Sequence, residues 1–114
     1  PFLVERLGYA EAKRLAVTGS RIAAAEALQI RLVHEVHPAD ALDAALARVV
    51  GDILQCAPGA LAATKALVSR ARWEQPALLV KDAAQAFSRA ALGPEGVEGM
   101  TAFLQKRKAK WAPQ

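Results

Sequence analysis

Few residues in this chain are of a type and spacing that could do chemistry. His34 and His37, in His34-Glu35-Val36-His37, come nearest to a metal pair. On an extended segment, residues three apart point to opposite faces, so the two imidazoles cannot share an ion and no metal site is expected. There is no glycine-rich phosphate loop, no serine-elbow pattern and no paired-cysteine spacing. The carboxylates offer no general acid. Glu5 and Glu11 fall on helices among charged neighbours, and Asp43 and Asp52 on the polar face of theirs. Glu95 and Glu98 flank a turn and a helix start, where negative charge serves the helix itself. None sits in the apolar setting that raises a carboxyl group into the working range of an acid catalyst, so no catalytic residue is expected.

The C-terminal stretch is more suggestive. At about 100° per residue, Val97, Met100, Leu104 and Trp111 share a stripe that should face protein. Phe103 lies to one side of it, and Lys106 and Lys110 continue around the same flank. A ring with two ammonium groups beside it suits a flat, phosphorylated ligand; an amphipathic helix with a basic outer face is the plainer alternative.

The elements that would position these groups read as helices. Pro1 to Leu7 is stopped by Gly8, and Tyr9 to Val17 by Gly19, glycine being the residue that turns left-handed without penalty at a helix end. A short helix follows over Ala24 to Gln29. Leu32-Val33-His34-Glu35-Val36 alternates with period two and is the one candidate strand, too short to make a sheet. Asp40 is a suitable N-cap for a helix from Ala41 to Cys56, whose Leu42, Leu46, Val49, Val50, Ile53 and Leu54 form a stripe. Pro58 and Pro76 suit the first turns of helices reaching about Arg72 and Leu92, with a hinge at Arg72-Trp73-Glu74-Gln75. Gly93 to Gly96 reads as a turn, and a last helix runs to about Lys110. The fold class is therefore all-α, with at most one very short strand, as a single domain over residues 1–114.

Composition bounds the partners. Hydrophobic residues make up 54% of the 114 but aromatics only 5%, with alanine prominent, so the helices should pack closely through a thin core and need further protein to cover their apolar faces. The net charge is +4, with Lys106, Arg107, Lys108 and Lys110 crowded near the C-terminus, which reads as a solvated tail, with an anionic partner as the alternative. A nucleic-acid partner is disfavoured, because the charge is confined to one end with only Trp111 beside it. No stretch approaches the ~20 apolar residues of a membrane span. A lone Cys56 permits no internal disulfide, and a cytoplasmic setting is expected. The start at Pro1 reads as a cut from a longer chain.

Several segments together resemble the C-terminal part of the crotonase superfamily, the enoyl-CoA hydratases and isomerases. Gly8-Tyr9-Ala10-Glu11-Ala12 leading to Val17-Thr18-Gly19 is similar to the family's helix ending in Leu-Thr-Gly. Ala24-Ala25-Glu26-Ala27-Leu28 before Leu32-Val33 resembles its short helix entering a Gly-Leu-Val segment, and Ala62-Ala63-Thr64-Lys65 a later helix. Glu98 to Lys108 matches an E-G-x-x-A-F-x-x-K-R-K ending. One departure is Arg31, where the family has glycine; if the left-handed backbone is kept there, arginine should cost roughly 1 kcal/mol. The resemblance implies a trimerisation-type helical segment of a parent that acts on the double bond of enoyl-CoA thioesters, in fatty-acid or branched-chain acyl-CoA metabolism. The oxyanion hole and catalytic glutamates would precede Pro1, so this chain alone should be inactive and need no cofactor beyond the parent's acyl-CoA substrate. It further implies a homo-oligomer, a trimer or dimer of trimers, with self-association of the isolated chain. Phe103 and Lys106 match residues that approach the adenine and 3′-phosphate of CoA, and Phe87 an aromatic bordering the acyl pocket. Phe87 as a core residue in the stripe Val80, Ala83, Ala84, Phe87 is the alternative. A free-standing helical assembly module is the rival to the whole reading.

Overall fold

The computed structural model describes residues 1–113 and resolves into two compact units, Pro1–Ala45 and Leu46–Gln114. Among the described residues there are six α-helices and one 3₁₀ turn, and no strand.

In the first unit, α1 spans Phe2–Thr18 but is broken at Gly8, whose φ of 77° and ψ of 165° lie outside helical space. The expected stop at Gly8 is thus a kink between two helical runs. The second run ends at Gly19, left-handed at φ 60°, whose N–H donates to the Leu15 carbonyl at 3.2 Å. Helix α2 spans Ala24–Gln29. The guanidinium of Arg14 donates to Glu11 on its own helix at 2.6 Å and to Glu26 on α2 at 2.9 Å, bridging the two.

The end of α2 explains the next segment. The Arg31 N–H donates to the Leu28 carbonyl at 3.0 Å and the Leu32 N–H to the Ala27 carbonyl at 2.8 Å, the pair of bonds that defines a Schellman cap. Arg31 occupies the left-handed position at φ 62°, so the backbone expected of glycine is kept despite the side chain. The strand anticipated over Leu32 to Val36 does not form. Its first two N–H groups, of Leu32 and Val33, both turn back to the Ala27 carbonyl, and no neighbouring strand is present to accept the others. Asp40 falls within the 3₁₀ turn Ala39–Ala41 and makes no side-chain cap, contrary to expectation; the turn closes instead through the Ala41 N–H on the Pro38 carbonyl at 3.0 Å.

Helix α3 spans Leu42–Leu54, and its apolar stripe stays open, with Leu46 62% and Ile53 46% exposed. In the second unit, α4 (Pro58–Arg70) and α5 (Pro76–Leu92) each begin on the anticipated proline. Between them Arg70 pairs with Glu74 at 2.7 Å and Asp82 at 2.8 Å, fixing the hinge to α5. Among the described residues Leu79 is the one large side chain that is buried; the other buried residues of this unit are Ala102 and Ala112. Helix α6 spans Pro94–Leu104 and packs on α5. The anticipated turn at Gly93 to Gly96 is therefore mostly the first turn of α6. Gly96 is needed there, because a β-carbon would overlap the carbonyl oxygens of Ala90 and Ala91 at the end of α5.

Candidate functional site

The last helix stops at Leu104, six residues earlier than its periodicity suggests, and the reason defines the site. Lys106 turns left-handed at φ 52°; its N–H donates to the Phe103 carbonyl at 3.1 Å and the Arg107 N–H to the Ala102 carbonyl at 3.0 Å. This is a second Schellman cap, again with a long cationic side chain where glycine is usual. Lys106 and Lys110 therefore do not continue the flank of a helix, and Trp111 is not on its stripe.

Beyond the cap the tail folds back over α6. Glu98 receives the Arg107 guanidinium as a fork, Nη1 at 2.6 Å and Nη2 at 3.1 Å, and the backbone N–H of Lys110 at 3.0 Å. Arg107, and secondarily the Lys110 N–H, pull the Glu98 carboxyl down to about 2, which keeps it ionised and an acceptor only. The Glu98 side chain is 15% exposed. The Trp111 ring lies against the α-carbon of Gly99, where a β-carbon would stand 3.3 Å from the indole, and its Nε1–H donates to the Gln55 carbonyl at 3.0 Å. Glu98, Gly99, Ala102, Arg107 and Trp111 are thereby committed to holding the corner.

The candidate pair takes no part in this clamp. Phe103 is 79% exposed, and the Lys106 ammonium makes no hydrogen bond or ion pair among the described residues. The 3.1 Å backbone bond between the two residues fixes their spacing. Phe87 is 76% exposed on α5, as is Val80 at 66%, so neither is a core residue of this chain. Phe87 lines neither the open cleft of about 520 Å³ between Gly59, Ala63, Ala86 and Glu95 nor the smaller apolar groove at Leu67, Leu79 and Val80.

The remaining polar candidates take structural roles. His34 meets Arg6 at 2.7 Å and His37 meets Glu35 at 2.7 Å, so the imidazoles face different partners. No group of three metal-ligating side chains exists among the described residues, and no single helix there is long and apolar enough to cross a membrane. Glu95 caps α4, its Oε2 accepting the Gly59 N–H at 2.9 Å. The Glu98–Arg107 clamp was missed in the sequence because a pair nine apart has no helical spacing; the signal was the presence of both in the Glu98 to Lys108 motif.

A family model described as enoyl-CoA hydratase/isomerase matches residues 1–114. The chain belongs to the enoyl-CoA hydratase/isomerase family. Its helices superpose on an enoyl-CoA hydratase/isomerase from Marinobacter aquaeolei with a TM-score of 0.92 at 46% identity, covering 99% of this chain and 43% of that one. Pseudomonas aeruginosa AtuE is similarly close, with a TM-score of 0.91 at 45% identity over 99% of this chain and 44% of its own. The enoyl-CoA hydratase of Bacillus anthracis keeps a TM-score of 0.88 at 27% identity, over 98% of this chain and 43% of its own. The chain thus spans less than half the length of these family members. No curated protein matches it by sequence. The all-α architecture is that of a helical segment of the crotonase fold.

Proposed function

We propose that this chain is the C-terminal helical part of an enoyl-CoA hydratase/isomerase, and that it serves assembly and coverage of the active site rather than bond-making. The parent acts on the double bond of enoyl-CoA thioesters, in the cytoplasm, as a homo-oligomer built on trimers. Phe103 and Lys106 contact the nucleotide end of CoA, the ring beside the adenine and the ammonium on the 3′-phosphate; Phe87 borders the acyl pocket. The chain by itself carries no activity. The observation that supports this most is the exposed ring of Phe103 next to the unpaired ammonium of Lys106, on a turn held in place by the Glu98–Arg107 fork. An aromatic face offers stacking to a base, and an ammonium offers charge-assisted hydrogen bonds to a phosphate.

The test is a substrate comparison in the full-length enzyme. Phe103→Ala and Lys106→Ala should each raise KM for an enoyl-CoA about tenfold while leaving the matching enoyl-pantetheine thioester, which lacks the nucleotide, unaffected. Equal effects on both substrates, or none on either, would remove the nucleotide contact from the reading.

A further inference from the structure

Lys106 is a flexible side chain on a backbone conformation that L-residues avoid, so something must hold that turn in place for the ammonium to be presented. The cap bonds alone would suit glycine better. The turn is held from the far side by the clamp. One Glu98 oxygen takes both Arg107 Nη1 and the Lys110 N–H, the other takes Nη2, and the two anchored residues bracket the turn immediately after Lys106. The clamp is in turn tied down by Trp111, whose ring covers Gly99 and whose Nε1–H reaches the Gln55 carbonyl. Glu98 is mostly covered and points at its partners rather than outward, so it cannot itself meet a ligand.

We infer that Glu98, through its fork with Arg107, is a positioning residue that holds Lys106 and Phe103 in register for the nucleotide of an acyl-CoA. The inference rests on the nucleotide contact proposed above and goes beyond it by assigning Glu98 and Arg107 to substrate affinity. A bidentate guanidinium–carboxylate pair has one preferred geometry, whereas a lysine–carboxylate contact has many, so it can fix a turn's orientation and not only its proximity. The acyl end of the substrate lies outside its influence.

The experiment uses the full-length enzyme, an enoyl-CoA and its enoyl-pantetheine counterpart, with Glu98→Gln, Arg107→Lys, Lys106→Ala and the Glu98→Gln/Lys106→Ala double variant. Glu98→Gln should raise KM for the CoA thioester about five- to tenfold, leave kcat within twofold, and leave the pantetheine thioester unchanged. Arg107→Lys should lie between, because it keeps charge but loses the fork. The double variant should be no worse than Lys106→Ala alone, since two residues acting through one contact are not additive. Equal loss on both thioesters in Glu98→Gln would make the clamp merely structural and overturn the inference, as would additive losses in the double variant. Should Glu98→Gln not fold, the Arg107→Lys comparison decides by the same criterion. A selective effect of Lys106→Ala with silent Glu98→Gln and Arg107→Lys would overturn positioning and leave the nucleotide contact standing. A silent Lys106→Ala would remove both.

Discussion

Two helix caps of identical hydrogen-bond pattern, at Arg31 and at Lys106, allow structure and ligand binding to be separated by one kind of substitution. Each residue is left-handed, at φ 62° and 52°. A non-glycine residue there costs roughly 1–2 kcal/mol. Glycine removes that strain but gives the unfolded chain more freedom, which takes back about 0.4–1 kcal/mol. Arg31→Gly and Lys106→Gly should therefore each stabilise by about 0.5–1 kcal/mol, from the difference of those two effects. In a full-length enzyme of family size that is a rise in Tm of about 1–4 °C. The assay is thermal unfolding of both variants beside enoyl-CoA kinetics. Arg31→Gly should raise Tm and leave KM alone. Lys106→Gly should raise Tm similarly and yet raise KM about tenfold, the loss expected for one charge-assisted hydrogen bond. Lys106→Ala, which keeps the strain, should lose the affinity without gaining the stability. A fall in Tm for both glycine variants would refute the strain argument. An equal rise in KM for both would refute the assignment of Lys106 to the ligand.

Acid should loosen the tail. The Glu98 carboxyl is held at about 2 in the folded chain against an ordinary 4.5, so its contribution to stability is complete above about pH 4.5 and is lost as pH falls toward 2. Glu98→Gln should flatten that part of a pH–stability curve, and an unchanged curve would count against the clamp. Gly96→Ala should cost about 3 kcal/mol, because the added methyl meets backbone carbonyls of α5 that cannot rotate away; chemical denaturation reads it directly. Leu79→Ala should cost about 2 kcal/mol, the low end for a buried leucine, since the groove beside it lets neighbours relax. The isolated chain should self-associate through open faces such as Leu46 and Ile53 of α3, and Leu46→Lys should shift its sedimentation toward monomer.

Helix positions were legible in the sequence wherever proline or glycine punctuates it. Pro58 and Pro76 start their helices, Gly19 ends one, and Gly8 breaks one, because each residue acts through its own φ. Two of the misreadings share a cause. The strand at Leu32 to Val36 and the extension of α6 to Lys110 were both drawn from side-chain periodicity, and both fail at a cap whose left-handed position is occupied by a cation instead of glycine. Periodicity sees which side chains are apolar; it does not see a backbone reversal that no glycine marks. At Arg31 the family's glycine marked the position where a left-handed backbone had to be either kept or lost, whereas at Lys106 nothing did. Fold class survived because it depends on helices that are separately punctuated. The geometry of the site did not, because it depends on where one helix stops.

That error also shows what the motif from Glu98 to Lys108 is for. Read as a helix face, it mixes charged, small and aromatic residues without a pattern. Read as a helix, a cap and a returning tail, it separates. Glu98 and Arg107 form the clamp, Gly99 makes room for the Trp111 ring, and Ala102 is buried beneath the cap and supplies its carbonyl. Phe103 and Lys106 face out beside Met100 and Leu104, the ring 79% exposed and the lysine in a conformation it does not favour. Neither position adds to the stability of this chain by itself. Under the function proposed above, the two would meet the nucleotide of an acyl-CoA, the ring at its flat base and the ammonium at its phosphate.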